Sequence, residues 1–262
     1  MINLSALVLT KNESDIIGDC LKQISFADEI IVLDQNSTDD TVKIAKTYTD
    51  KVYIESLSFD KARNILASYA KGKWLLYVDA DERLSPELIA EIRSTIDDER
   101  SAINGYYVPR KNIILGKFLK HGGWWPDYVP RLFKKEKLKK WQGLVHESPE
   151  IEGEFGYLKS PIIHYTARSM KLMLEKSTKW AKIEAELNYQ NSAKYVTIPK
   201  VLRALISEFV SRYIIKFGFL DGFVGLVEAI YQSYHRAMVL TYLWELQNDA
   251  EGKFKKATSE IK

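Results

Sequence analysis

The stretch Trp74-Leu75-Leu76-Tyr77-Val78-Asp79-Ala80-Asp81-Glu82 joins a short apolar run directly to a cluster of carboxylates. Five consecutive apolar residues before a polar turn are typical of a buried strand in a parallel sheet. Asp79 and Asp81 lie two residues apart, so on a continuing strand their side chains would face the same side. Such oxygen-rich clusters suit hard cations that bridge nucleotide phosphates, and the alternative is a solvated turn before the next helix.

Short apolar strands alternate with amphipathic helices upstream of this stretch. We predict strands over residues 4–9, 29–34, 51–55 and 74–78, and helices over 13–24, 40–48 and 59–70. This alternation is typical of an α/β fold with a parallel sheet and helices on both faces. Ligands bind outside the carboxyl ends of such strands. The polar residues at 10–13, 34–37 and 79–81 should therefore converge on one edge of the sheet.

A helix should begin at Pro86, with Ser85 as its cap. After this helix, the regular alternation of strands and helices ends. The segments 105–110 and 127–133 are strand-like and predict antiparallel or mixed additions to the sheet. Beyond Arg168 the sequence is helical, over 169–189 and 201–246. We therefore predict a catalytic domain over residues 1–167 and a C-terminal helical extension over residues 168–262.

Composition narrows the class of protein. The chain has 262 residues and a formal net charge of +3, which argues against a nucleic-acid binder that neutralises phosphates along its whole surface. A single cysteine excludes an intramolecular disulfide, and Cys20 lies on the apolar stripe of the first predicted helix, so we expect it in the core. The first residues resemble a strand rather than a secretion signal, and we predict a cytoplasmic protein.

The tail contains an apolar stretch over residues 214–227 that Lys216 and Asp221 interrupt. It lacks the unbroken apolar length that a bilayer crossing requires. Aromatic and aliphatic residues with lysine and arginine at the borders fit a segment that lies in a membrane interface. A helical hairpin packed on the catalytic domain is the alternative. The interfacial interpretation predicts peripheral association with the inner face of the cell membrane.

Four motifs occur in an order that resembles glycosyltransferase family 2. They are Thr10-Lys11-Asn12-Glu13, Asp34-Gln35-Asn36-Ser37-Thr38-Asp39, Ala62-Arg63-Asn64 and Asp79-Ala80-Asp81. Residues 121–127, 131–133, 141–147 and 213–222 are similar to the subgroup that contains the lipopolysaccharide core β-1,4-glucosyltransferases. The resemblance implies the GT-A fold, with a Rossmann-like and mostly parallel sheet, an inverting mechanism and a nucleotide-sugar donor.

The resemblance also implies roles for the residues of a donor site. Asp34 would accept the imide hydrogen of uracil, and Asp79 would meet the ribose or a metal-bound water. The remaining donor contacts are Thr10 and Glu13 at the nucleoside and Arg63 and Asn64 at the diphosphate. A planar, permanently charged guanidinium is well suited to a diphosphate.

Asp81 would hold Mg²⁺ or Mn²⁺, which offsets the charge that builds on the departing diphosphate. His164 is a candidate for a further metal ligand, because Pro161-Ile162-Ile163-His164-Tyr165 resembles the strand end where the fold often places one. A lone histidine beside apolar residues also fits a purely structural role.

Inversion needs a base that removes a proton from the acceptor hydroxyl, and the candidates are Glu147, Asp127 and His146. We favour Glu147 as the base and Asp127 as a ligand of acceptor hydroxyls, and the opposite assignment stays open. The candidate acceptor contacts are Trp124, Trp125, Trp141, Arg131 and His146, with core packing as the alternative for at least one tryptophan.

These observations predict an enzyme that moves a hexose, glucose first, from a UDP-sugar to a lipopolysaccharide-core or lipid-linked saccharide. One alternative is a sugar-phosphate nucleotidyltransferase, which is disfavoured because no glycine-rich phosphate loop follows the first strand. Another is a catalytically silent scaffold that recruits glycan-building partners to the membrane.

Overall fold

The computed structural model describes residues 2–98, 100–143 and 147–249. The strands within these residues are β1 Leu4–Thr10, β2 Glu29–Asp34, β3 Val52–Ile54, β4 Trp74–Asp79, β5 Glu82–Leu84, β6 Ile103–Ile114, β7 Lys117–Phe118, β8 Asp127–Lys134, β9 Leu138–Gln142, β10 Ser148–Ile151, β11 Glu154–Tyr157 and β12 Ile162–Ala167. The helices are α1 Ile17–Gln23, α2 Thr41–Ala45, α3 Phe59–Tyr69, α4 Pro86–Asp97, α5 Met170–Gln190, α6 Ile198–Phe209 and α7 Gly222–Asp249.

The chain forms two compact units. The first contains Met1–Asn112 and Pro126–Thr166, and the second contains Ile113–Trp125 and Ala167–Lys262. Residues 113–125 therefore group with the C-terminal helices, although they precede them in the chain by more than 40 residues. The division into a catalytic domain over residues 1–167 and a helical extension over residues 168–262 stays a prediction.

The main sheet confirms the predicted α/β fold. Its path runs β3-β2-β1-β4-β8-β6-β12-β5, and β1 pairs in parallel with both β2 and β4. Strand β8 is antiparallel to β4 and to β6, as expected for the segments around residues 105 and 127. The register places Thr10 opposite Asp34 and Leu9 opposite Asp79. The ends of the three central strands are thus level at one edge of the sheet.

Strand β1 is the centre of the first unit, and all seven of its residues are buried. Its side chains alternate between two apolar clusters because successive residues of a strand point to opposite faces. Leu4, Ala6 and Val8 belong to one cluster. Leu7 and Leu9 belong to the other, which α3 covers with Ala62 and Leu66. Cys20 lies in the first of these clusters, which confirms its predicted place in the core.

The second unit is built on α5 and α7. The buried residues of α5 recur every four positions, at Met173, Ser177, Ala181 and Ala185, which is the period of one helix face. The backbone carbonyl of Met173 accepts a hydrogen bond of 2.9 Å from the Tyr231 hydroxyl of α7. The predicted helix over residues 169–189 is confirmed, and none of the described helices is long and apolar enough to cross a membrane.

The predicted helical stretch over residues 201–246 is interrupted. A π-helical turn at Val210–Ile215 and a 3₁₀ turn at Gly218–Asp221 separate α6 from α7. Phe217 starts the second turn with φ of 57°, a left-handed conformation that bulky residues rarely adopt. A side-chain carbon at Gly225 would lie 2.0 Å from the carbonyl oxygen of Gly218, so only glycine lets the turn approach α7 this closely.

Candidate active site

The loops after β1 and β2 are tied together by hydrogen bonds. The amide oxygen of Asn12 accepts from the backbone N–H of Thr38 at 2.8 Å, and the N–H of Asn12 donates to the Ser37 hydroxyl at 2.7 Å. The carboxylate of Asp39 accepts from the N–H of Ser14 and from the hydroxyl of Thr41. These contacts hold two segments about 25 residues apart in one arrangement at the edge of the sheet.

The residues predicted at the nucleoside stand at this edge. Asp34 is fully buried, and its two oxygens accept from the N–H of Ser37 at 2.7 Å and from its hydroxyl at 2.5 Å. Glu13 is half-buried, and its N–H donates to the Thr41 hydroxyl. The hydroxyl of Thr10 is buried and has no hydrogen-bond partner within the described part of the chain. Buried polar atoms normally have a partner, so this hydroxyl is an exception among the described residues. Base recognition by Asp34 stays a prediction.

A cluster of four charges lies just after β4. The Asp79 carboxylate accepts from Arg63 at 3.1 Å and from Arg131 at 2.5 Å. Arg131 also donates to both oxygens of Glu82, at 2.7 and 3.1 Å. Glu82 in turn accepts the backbone N–H of Asp79 at 3.0 Å. Both arginines and Glu82 are buried. The cluster therefore closes the turn 79–82 and fixes the direction in which β4 ends.

The neighbouring arginines lower the pKa of Asp79. Burial alone would raise the pKa, but the guanidinium groups of Arg131 and then Arg63 outweigh it and hold the pKa well below the usual range of aspartate. Asp79 is therefore ionised at neutral pH. Contact of Arg131 with an acceptor phosphate or a donor diphosphate stays a prediction, since the structure pairs its guanidinium with these two carboxylates.

The side chain of Asn64 makes two hydrogen bonds to the backbone of Trp141. The amide of Asn64 donates to the Trp141 carbonyl at 2.9 Å and accepts its N–H at 2.7 Å. The Trp141 ring is buried against Tyr77, and the Arg63 guanidinium lies 4.9 Å from its centre. This packing agrees with the structural alternative for one tryptophan. The roles of Asn64 at the diphosphate and of Trp141 at the acceptor stay predictions.

Asp81, which directly precedes β5, lies beside His164 of the neighbouring strand β12. His164 Nε2 lies 3.3 Å from Asp81 Oδ2, and the backbone carbonyl of Asp81 accepts the N–H of Tyr165 at 2.9 Å. On its other side, His164 Nδ1 lies 2.7 Å from Asn112 Oδ1. The two predicted metal ligands, which are 83 positions apart in the sequence, thus meet at the end of β4.

The two carboxylates proposed for acceptor chemistry differ in their surroundings. Asp127 Oδ2 accepts from Arg110 Nη2 at 2.8 Å and from Asn112 Nδ2 at 2.9 Å. Glu147 is half-buried. Burial raises its pKa, while the positive charge of Arg63 opposes the rise. A raised pKa brings a carboxylate nearer to the range in which a general base works at neutral pH.

The other predicted acceptor contacts fall in different parts of the chain. Trp124 and Trp125 belong to the second unit. Trp125 is about a third exposed and meets Phe118 edge to face, whereas Trp124 is half-buried in the cluster around Leu119. His146 lies outside the described residues. All of these acceptor roles stay predictions.

Three residues of this site, Glu82, Arg110 and Asn112, were not predicted from the sequence. Glu82 belongs to the acidic stretch quoted above. Its position three residues after Asp79 could have indicated that its carboxylate accepts the backbone N–H of Asp79 and closes the turn. Arg110 and Asn112 stand in the interior of β6, which carries no motif. A buried asparagine in a strand is itself a weak signal, because strands disfavour this residue unless its amide is paired.

Comparison with known proteins gives consistent results. The family model described as glycosyl transferase family 2 matches residues 5–163. An uncharacterized glycosyltransferase of Rickettsia typhi is 27% identical over 259 residues, which covers 94% of this chain and 88% of the relative. The lipopolysaccharide core biosynthesis glycosyltransferase LpsC of Rhizobium meliloti is 24% identical over 207 residues, covering 73% of each chain. The crystal structure of TarS residues 1–349 from S. aureus covers 96% of this chain and 92% of its own, with 15% identity and a TM-score of 0.45.

The charge cluster yields a stability prediction. Arg131→Leu leaves the carboxylates of Asp79 and Glu82 without their shared cation, and we expect it to lower the free energy of unfolding by about 3–5 kcal/mol at pH 7. The deficit should shrink as the pH falls below the usual pKa of aspartate, because the stabilisation that comes from the lowered pKa of Asp79 is then lost from the wild-type protein as well. Urea denaturation at several pH values measures this. Arg100→Leu, at an exposed arginine, is the matched control and should change stability little. A deficit that is equal at all pH values would contradict the account.

Proposed function

The chain belongs to glycosyltransferase family 2, and we propose that it transfers a hexose, with glucose the first candidate, from a UDP-sugar to a lipopolysaccharide-core or lipid-linked saccharide with inversion. The observation that carries the proposal is the meeting of Asp81 and His164 at the end of β4, beside the ionised Asp79. The name of the relative LpsC supports the acceptor class.

In this proposal, the donor binds at the edge of the sheet where β1, β2 and β4 end. The hydroxyl of Thr10, which has no hydrogen-bond partner among the described residues, supports a polar ligand here, and the hydrogen-bonded loops after β1 and β2 offer a rigid wall for a nucleoside. Asp34 and Glu13 complete the nucleoside contacts, and Asp79 orients the ribose. The remaining donor contacts are Arg63 and Asn64 at the diphosphate.

A divalent cation fits the donor set at Asp81 and His164. A carboxylate oxygen and an imidazole nitrogen are suitable ligands for Mn²⁺, and a carboxylate suits Mg²⁺. The described residues contain no group of three or more histidine, cysteine, aspartate or glutamate side chains that could hold a metal ion. In this proposal, oxygens of the donor diphosphate join Asp81 and His164 as ligands. When bound, the cation supplies stabilisation of the negative charge on the departing diphosphate.

Glu147 is the proposed base on the acceptor side. It removes the proton of the acceptor hydroxyl as that oxygen attacks the anomeric carbon, and the bond between this carbon and the diphosphate of UDP breaks. Asp127, which Arg110 and Asn112 hold through one oxygen, orients acceptor hydroxyls. Arg131, Trp141 and His146 are proposed to contribute further acceptor contacts, and the acceptor roles of Trp124 and Trp125 stay predictions.

The first test measures UDP release from a panel of UDP-glucose, UDP-galactose and UDP-N-acetylglucosamine with and without Mn²⁺. Asp81→Asn should lower the Mn²⁺-dependent rate by about 100-fold or more, equivalent to about 3 kcal/mol of transition-state stabilisation. Asp50→Asn, at an exposed aspartate, is the matched control. No UDP release from any donor with the wild-type protein, or full activity of Asp81→Asn, would contradict the proposal.

Two substitutions separate the candidate bases. Glu147→Gln should lower kcat by about 10²–10⁴-fold, whereas Asp127→Asn should mainly raise the KM for the acceptor. A base works only when ionised, so the wild-type rate should rise with pH through the pKa of Glu147, which burial places above its usual value of 4.5. This rise of the rate with pH should be missing from the residual activity of Glu147→Gln. The reverse pattern of kcat and KM effects would assign the base to Asp127.

The second unit carries an exposed apolar set, which we define as Ile198, Leu202, Ile206, Phe217, Leu220 and Phe223. The first three lie four residues apart, on one face of α6. Ile198 is 77% exposed and Phe223 is 78% exposed. Large apolar side chains left in water in such numbers indicate an interaction surface.

We assign this set to the surface of an anionic bilayer. Lys200, Arg203 and Lys216 stand among its members in the sequence, and cations beside apolar side chains fit anionic lipid headgroups. The turn that carries Phe217 and Leu220 is firmly anchored, because the carboxylate of Asp221 accepts the backbone N–H of His121 at 2.8 Å. The protein would then act at the inner face of the cell membrane, where a lipid-linked acceptor is accessible.

Vesicle flotation tests the membrane proposal. The double substitution Leu202→Glu/Phe223→Glu should weaken binding to vesicles of phosphatidylglycerol and phosphatidylcholine by more than about tenfold, since each side chain loses about 1.5–3 kcal/mol of apolar burial. Leu172→Glu/Tyr189→Glu, at two exposed apolar residues of α5, is the matched control. UDP release should be unchanged in both variants. Equal flotation of the wild-type protein and the Leu202/Phe223 variant would contradict the assignment.

A further inference from the structure

A continuous line of side-chain contacts runs through the first unit. Arg110 donates to Asp127, and Asp127 accepts from the amide nitrogen of Asn112 at 2.9 Å. The amide oxygen of Asn112 lies 2.7 Å from Nδ1 of His164, and Nε2 of His164 lies 3.3 Å from Asp81. The line therefore connects the carboxylate proposed at the acceptor to the pair proposed at the metal, and Asn112 is its central member.

The chemistry of these groups fixes the direction of each hydrogen bond. The Asp127 carboxylate, paired with the guanidinium of Arg110, can only accept, so Asn112 turns its N–H₂ group toward Asp127. The amide oxygen of Asn112 then faces His164, and an oxygen can only accept. Nδ1 of His164 must therefore carry a proton. A neutral His164 consequently presents an unprotonated Nε2 to Asp81.

Nε2 and the Asp81 carboxylate oxygen are then two acceptors that face each other at 3.3 Å. Two lone pairs at this distance repel unless a cation or a proton lies between them. In metal sites, the hydrogen bond at the second ring nitrogen sets the tautomer and raises the basicity of the ligating nitrogen. Asn112 stands where such a partner is required.

We propose that Asn112 is a positioning residue that holds His164 in the Nδ1–H tautomer, so that Nε2 is offered to a divalent cation beside Asp81. This inference rests on the proposed function, because it supposes a metal at that pair. Asn112 is fully buried, and no apolar residue can donate to Asp127 and accept from His164 at once. Through the same amide, Asn112 also joins the position of Asp127 to that of His164.

The tautomer of His164 can be read directly by ¹⁵N NMR of histidine-labelled full-length protein. The chain has only four histidines, and the spectrum of His164→Gln assigns the signal. We expect the wild-type signal to show a protonated Nδ1, and the Asn112→Leu signal to move toward a mixture of the two tautomers. Thermal unfolding of both proteins establishes that each is folded. A tautomer that does not change in a folded Asn112→Leu protein overturns the inference.

Asn112→Asp is the conservative variant. In either protonation state, the new carboxyl has an oxygen that can accept a hydrogen bond from the Nδ1–H group of His164. We expect this variant to retain the wild-type tautomer. A shift of the His164 signal in Asn112→Asp toward the mixed form would count against the inference, even if Asn112→Leu does not fold.

Metal affinity gives the second readout, which does not depend on activity. Free Mn²⁺ is titrated by electron paramagnetic resonance in the presence of UDP. We expect Asn112→Leu to weaken Mn²⁺ binding by about 10–100-fold. In the His164→Gln background, Asn112→Leu should cause no additional loss, because its effect passes through His164.

The outcomes distinguish the inference from the proposed function. A wild-type protein that binds UDP but no Mn²⁺ refutes the metal part of the proposed function, and the inference fails with it. A wild-type protein that binds Mn²⁺, together with equal binding by Asn112→Leu, overturns the inference alone. A further loss of the same size in the His164→Gln background also overturns it, because it would show a general structural effect.

Discussion

The pairing of Arg131 with Asp79 and Glu82 is the interaction on which the candidate site depends. Two carboxylates within four residues of each other repel, and burial makes the repulsion costly. Arg131 contacts both of them, and Arg63 approaches Asp79 from α3. The charges of the four groups balance, which allows the turn after β4 to be buried. This turn places Asp81 opposite His164, so the geometry of the proposed metal pair follows from the charge balance beside it.

The same arrangement separates two roles within the acidic motif. Asp79 and Glu82 are engaged by arginines, while Asp81 faces His164. An Asp-x-Asp motif is often treated as one unit, but here its members meet different partners. A substitution at Asp79 should therefore affect folding as well as chemistry. The distinction matters when the variants of this motif are interpreted.

Much of the fold could be predicted from the sequence, because it depends on local patterns. Runs such as residues 74–78 are long enough to identify buried strands, and the alternation with amphipathic helices indicated the parallel order. The convergence of Thr10, Asp34 and Asp79 followed from the rule that parallel strands end at one edge, and the register confirms it. The break between α6 and α7 was missed, because Gly218 and Gly225 carry no local signal of the close approach that they permit.

The partners within the site could be predicted less well. Arg131 meets Glu82 across 49 positions, and Asn64 meets Trp141 across 77. Such pairs depend on how the sheet is assembled, and a single sequence does not encode them in any short pattern. Asn112 illustrates the point, because its importance lies entirely in contacts with Asp127 and His164. Residue types suggested the chemistry of the site, while the structure was needed to find which groups hold the proposed ligands in place.

The most direct test of the account is the anomalous diffraction of manganese in crystals of the full-length protein grown with UDP and Mn²⁺. We expect an anomalous peak within about 2 Å of both the Asp81 carboxylate and Nε2 of His164, with the diphosphate of UDP completing the coordination. UDP bound without an anomalous peak at this pair, or manganese bound only elsewhere, would contradict it.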